Sequence, residues 1–187
     1  MDISYYKHSG IYDKYFNKAV MQPNLPMLGY NIPNLLDYIE NKYFHEIGFN
    51  MSLYFIDSGP LACITKNNNK QAIIYIHQVL NHGDVPIQVI ELIILHEYCH
   101  LIIEGKEENG KYTSHPKDFW EFEKSLYNER NHVWLWIDIN LKSCIKRDET
   151  HECILIKNRK WKSVYGNYEC DYDKIKEIKD SFERYFL

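Results

Sequence analysis

The densest apolar stretch of the chain lies between Val85 and Glu104, where Val89, Ile90, Leu92, Ile93, Ile94, Leu95, Leu101, Ile102 and Ile103 leave almost no polar face. That pattern predicts a helix enclosed by a core rather than one lying at a surface. Asp84 can cap it, Pro86 suits its first turn and Gly105 ends it. A membrane span is not expected, because Glu91, His96, Glu97 and His100 interrupt a run that barely reaches the roughly 20 residues needed to cross a bilayer.

Upstream the periods are shorter. Residues 1–33 read as a lead-in segment, with Tyr5, Tyr6, Ile11, Tyr12, Tyr15 and Phe16 in an amphipathic stretch and Pro23, Pro26 and Pro33 punctuating a loop. Asn34 can cap a helix running to about His45, with Leu35, Leu36, Ile39 and Tyr43 on one face. Met51–Ile56 reads as a strand stopped by Ser58-Gly59-Pro60, and the strands Leu61–Ile64 and Ala72–His77 flank an Asn-rich turn. His77 and His82 are expected in structural rather than substrate-binding roles.

Downstream, a polar loop from Lys106 to Ser114 leads to His115-Pro116, where a second helix begins with Phe119, Phe122 and Leu126 as its apolar stripe. From Val133 to Leu141 apolar residues alternate with Trp134, Trp136, Asp138 and Asn140, which tips the reading toward a strand over a very apolar helix. Cys153–Ile156 and Trp161–Tyr165 suggest a hairpin, and Asp171–Leu187 a closing helix with Ile175, Ile178, Phe182 and Phe186 inward. Residues 34–130 would then form an α+β core with a small, mostly antiparallel sheet, and residues 131–187 a hairpin and helix packed on it.

The chemistry sits inside the apolar helix. His96-Glu97-Tyr98-Cys99-His100 puts two imidazoles one helical turn apart, so both can reach one metal ion at about 2.0–2.1 Å. Glu97 falls beside that ion, where a carboxylate can serve as general base toward a water of lowered pKa. A catalytic zinc usually takes a third protein ligand. His115, at the mouth of the second helix, is favoured for it; Glu121 or Glu123, inside that helix, would instead give a two-His, one-Glu site. Tyr112, in the loop before His115, is a candidate donor to an oxyanion.

These residues resemble the SprT-like (Spartan-type) zinc metalloproteases. The HExxH helix, the following loop, and His115-Pro116-Lys117-Asp118-Phe119 are similar to that family's active-site helix and third-ligand element, and Leu61–Ile64, Lys66–Lys70 and Ala72–His77 to its strand, turn and strand. The resemblance spans roughly residues 35 to 127. It implies a zincin-like fold, one zinc ion per chain on His96, His100 and His115, Glu97 as base, and hydrolysis of peptide bonds. In a zincin-like cleft, Ala72–His77 is the candidate platform for an extended substrate, although an ordinary core strand would show the same pattern. The family's C-terminal ribbon of paired Cys-x-x-Cys motifs is missing. Cys144, His151, Cys153 and Cys170 lack the spacing of a second zinc site.

Composition adds limits. The chain has 187 residues, a formal charge of −4 and five cysteines. Its length allows one sizeable core, and with no secretory leader the cysteines are expected as reduced thiols in a cytoplasmic protein. Net acidity argues against general attraction to nucleic acid. Lys157, Arg159, Lys160 and Lys162 around Trp161 and Tyr165 offer a nucleic-acid surface, yet a solvated face is the favoured reading. The expectation is therefore a zinc endopeptidase acting on protein or peptide. A His-His-Glu protease of regulatory proteins and an inactive binding module of the same fold are the alternatives; a three-histidine ribonuclease leaves Glu97 unexplained.

Overall fold

A computed structural model describes residues 32–177 apart from Glu46, Asn109, Thr150, His151 and Asn158. The lead-in segment, the end of the expected closing helix, and His151 lie outside these residues. Mixed helices and small sheets make up the described part, and among its helices none is long and apolar enough to cross a membrane.

Helix α1 (Ile32–Ile39) widens into a π-helical turn over Glu40–Phe44 that His45 ends in the left-handed region. Three strands follow in spatial order β1 (Asn50–Ile56), β4 (Gln71–His77), β3 (Ala62–Lys66). β4 pairs parallel with β1 and antiparallel with β3 across the Asn-rich turn. This corrects the candidate platform: β4 is central, its backbone engaged on both sides, whereas β1 and β3 are the edges and β3 is the one beside the cavity. The short β2 (Gly59–Pro60) belongs to another sheet.

Helix α2 (Ile87–Ile102) carries the motif and packs against β3, α1 and two later helices, α3 (Lys117–Leu126) and α4 (Arg130–Leu141). Every residue from Leu92 to Cys99 is buried on it, so the all-round apolar pattern has its predicted cause. At about 1.5–3 kcal/mol for each enclosed Leu or Ile, this helix is a large share of the core's stabilisation. Its ends differ from expectation. Pro86 occupies the N-cap with no side-chain cap, while the Asp84 N–H donates to His82 Nδ1. The helix stops at Ile102. Gly105 has another duty: a Cβ there would collide with the Tyr112 hydroxyl, so only glycine lets the Tyr112 ring cross this linker. Lys106–Ser114, expected as a loop, contains a hairpin of β5 (Lys106–Glu108) and β6 (Lys111–Thr113).

The largest correction concerns Val133–Leu141, which lie in helix α4 and not in a strand. Its buried positions are Val133, Trp134, Trp136, Ile137, Asn140 and Leu141, a helical stripe. The period-two reading set both tryptophans on the opposite face from Val133 and Ile137, but all four are buried, and Asn140 is buried with its amide satisfied. Asn140 Nδ2 donates to the Trp136 and Cys170 carbonyls, and its Oδ1 accepts the Cys170 N–H.

The C-terminal hairpin also differs. β8 (Cys153–Ile156) pairs backward with β7 (Ile145–Asp148) and with β2, not forward with Trp161–Tyr165. Trp161–Val164 is the short helix α5, and Tyr172–Glu177 is α6. Trp161 is buried against His77 and Tyr165, so its ring is no platform for nucleic-acid bases. One apolar cluster runs from Leu35 to Ile175 and joins both halves of the chain.

Candidate metal centre

Helical spacing stacks His96 and His100 one turn apart, with ring centroids 5.1 Å from each other. His115, between β6 and α3, swings over them: its ring lies 5.0 Å from His96 and 4.7 Å from His100. Buried Phe119, on the first turn of α3, touches all three imidazoles and forms their floor. One ring nitrogen from each histidine falls within 4.8 Å of the others, close enough to bind one metal ion, and this is the one such cluster among the described residues. His96 Nε2 and His115 Nε2 are 3.1 Å apart. Two nitrogens on a tetrahedral zinc would stand about 3.3 Å apart at ordinary bond lengths, so the donor set fits a small divalent ion.

The opposite ring edges are held. His96 Nδ1–H donates to Glu123 Oε1 at 2.6 Å, and the other Glu123 oxygen accepts from Arg130 Nε. Glu123 is fully buried on α3 and belongs behind a ligand rather than on the metal. Glu121 is exposed and paired with Lys117. Both acids proposed as third ligands are therefore outside the cluster, and His115 is inside it. His115 Nδ1 lies 3.0 Å from Ser114 Oγ and 3.4 Å from Glu152 Oε2. Its ring stacks on Trp120, whose indole carries the Arg130 guanidinium.

Charge follows from this packing. Burial drives His100 well below the ordinary histidine value, and the neighbouring imidazoles add to the effect. Burial likewise pushes His115 down to about 3, against the pull of Glu152. For His96 burial acts downward, but the Glu123 carboxylate outweighs it and holds the imidazole above its usual range. Glu97 is 3 % exposed, and burial pushes its carboxyl up to about 7.

All three histidines and Glu97 line one cavity of about 590 Å³. Its walls are Leu61 and the start of β3 to Ile64, the Trp120, Arg130 and Trp134 side chains, and Asp148, Glu149, Glu152 and Cys153 around the β7–β8 connection. Tyr112 also lines it. His77, fully buried, accepts the Val79 N–H on Nδ1, and His82 packs on Tyr165 and Tyr168; neither borders the cavity. Cys144 is buried with its thiol on the Leu141 carbonyl.

Not anticipated from the sequence are the hydrogen bonds of Glu123 to His96 and of Glu152 to the Thr113–His115 segment, and the wall made by Trp120, Arg130 and Trp134. Glu123 did leave a signal. It follows Phe119 by four residues, inside the apolar stripe, where a carboxylate needs a partner. Glu152 left none. No family model, curated protein or solved structure matches this chain, so the reading of the site rests on its geometry.

Proposed function

We propose that this protein is a zinc-dependent endopeptidase with a zincin-like active site. The observation that carries the reading is the convergence of His96, His100 and His115 beside a buried Glu97 in one open cavity. Such a donor set suits zinc among the metals that imidazole binds. Zinc bound there would supply Lewis acidity, acidifying a water and polarising a carbonyl.

The remaining work falls to the chain. His96, His100 and His115 hold the ion, each through one neutral ring nitrogen. Glu97, desolvated and adjacent to His96, takes the proton of the attacking water and returns it to the leaving amine. The β3 edge runs along the cavity and can pair with an extended peptide backbone. Arg130 and Tyr112 lie in the wall as donors to substrate carbonyls or to the oxyanion.

The second reading is a binding module on the same fold, inactive in hydrolysis. A zinc-loaded sample incubated with unfolded casein and with a mixed peptide library separates the two. Cleavage by the wild type that Glu97→Gln abolishes supports the peptidase; equal residual cleavage by both would remove Glu97 from the mechanism, and no cleavage by either would favour the binding module.

A further inference from the structure

The β7–β8 turn sends Glu152 to the segment that carries His115. Thr113 ends β6, and Ser114 and His115 lie between it and the start of α3, so the backbone N–H groups of Ser114 and His115 fall outside any helix or ladder. One carboxylate oxygen of Glu152 meets that need. Glu152 Oε2 accepts from Thr113 Oγ1 at 2.8 Å, Ser114 N at 2.9 Å, Ser114 Oγ at 3.1 Å and His115 N at 3.1 Å. Two backbone amides and two hydroxyls of three consecutive residues thus converge on an atom supplied from 37 to 39 residues further on.

Donor order then constrains the ring. The Ser114 hydroxyl gives its hydrogen to Glu152 and is left to accept from His115 Nδ1–H. With the proton on Nδ1, the lone pair is on Nε2, the nitrogen that faces His96 Nε2. The arrangement parallels the one on the other side of the cluster, where Glu123 takes His96 Nδ1–H directly. Glu152 itself has φ +50°, in the left-handed region that a glutamate rarely occupies. That conformation falls at the residue whose carboxylate reaches the site, as strained residues at functional sites do.

We propose that Glu152 is a positioning residue of the metal centre: through Ser114 and the 113–115 backbone it fixes the tautomer and direction of His115, which makes the β7–β8 hairpin part of the site. The inference rests on His115 being a ligand, and it does not depend on which reaction the site catalyses. Carboxylates behind ligating imidazoles typically change metal affinity 10–100-fold when removed.

The test uses the full chain, stripped of metal and titrated with cobalt(II) by visible absorption and with zinc against a chromophoric chelator. Glu152→Gln should bind both ions 10–100-fold more weakly and shift the cobalt ligand-field bands. In a His115→Ala background the same change should alter affinity less than about threefold, because the ligand it acts through is gone. Wild-type affinity and spectrum in Glu152→Gln, or an equal loss in both backgrounds, would overturn the proposal. Should Glu152→Gln not fold, Ser114→Ala leaves the backbone amides bonded and still cuts the relay. Weakened cobalt binding with altered bands supports the proposal, and an unchanged titration counts against it. A chain that binds metal and responds to Glu152→Gln yet cleaves no peptide would keep this inference and remove the peptidase reading. Absence of metal binding in the wild type would remove both.

Discussion

The candidate metal centre has two halves built in different ways. On α2, His96, Glu97 and His100 are placed by the helix itself: backbone hydrogen bonds fix their spacing, and a buried apolar shell fixes their direction. The other half, His115, stands on a short irregular segment whose conformation depends on contacts from Glu152 on the β7–β8 turn and Trp120 on α3. A helix holds its ligands by local geometry, while a loop must borrow rigidity from distant residues. The two halves should therefore fail differently, one when its side chains change and the other when its supports change.

The largest effect should come from the helical half. Purified protein should hold about one zinc per chain, and His96→Ala with His100→Ala should reduce that to background in elemental analysis. Full occupancy in the double variant would end the assignment of the site.

Next is the separation of binding from chemistry within that same half. Glu97→Gln keeps shape and adds no charge, so zinc content should stay at the wild-type level while hydrolysis falls about 10²-fold or more. Cleavage of an identified substrate at an undiminished rate would show that Glu97 is not the base.

A smaller effect tests whether the helical half also needs a distant support. Glu123→Gln should weaken zinc binding about 10–100-fold by loosening His96, whereas Glu121→Ala, at an exposed position, should leave it near wild type. The reverse order would return Glu121 to the list of ligands. His115→Ala should weaken affinity more than Glu123→Gln, since it deletes a ligand rather than its brace.

The smallest effect concerns what the C-terminal region does not do. Trp161 is buried on His77, leaving Lys160 and Lys162 as an exposed basic pair without a stacking surface. No DNA affinity tighter than about 10⁻⁶ M at physiological salt is expected, and Lys160→Ala with Lys162→Ala should change it little. A fluorescence titration with single-stranded DNA that shows tight, lysine-dependent binding would give this region a second role.

Sequence by itself determined what depends on short spacing. The apolar run of α2, the strand, turn and strand before it, the Pro116 start of α3 and the i, i+4 histidines were all legible, because helical and strand periods are local properties of the chain. Periodicity failed where bulky residues broke the polar and apolar division: in α4 the tryptophans look inward, and the alternation that resembled a strand was accidental. Only tertiary structure decided that β8 pairs with β7 and β2, that β3 rather than β4 forms the cleft edge, that Glu123 braces His96, and that Glu152 reaches His115. The last two contacts join residues 27 and 37 positions apart, and their geometry arises from how whole elements pack. A carboxylate carries no mark of its partner until the fold removes it from water and places one hydrogen-bond donor within reach.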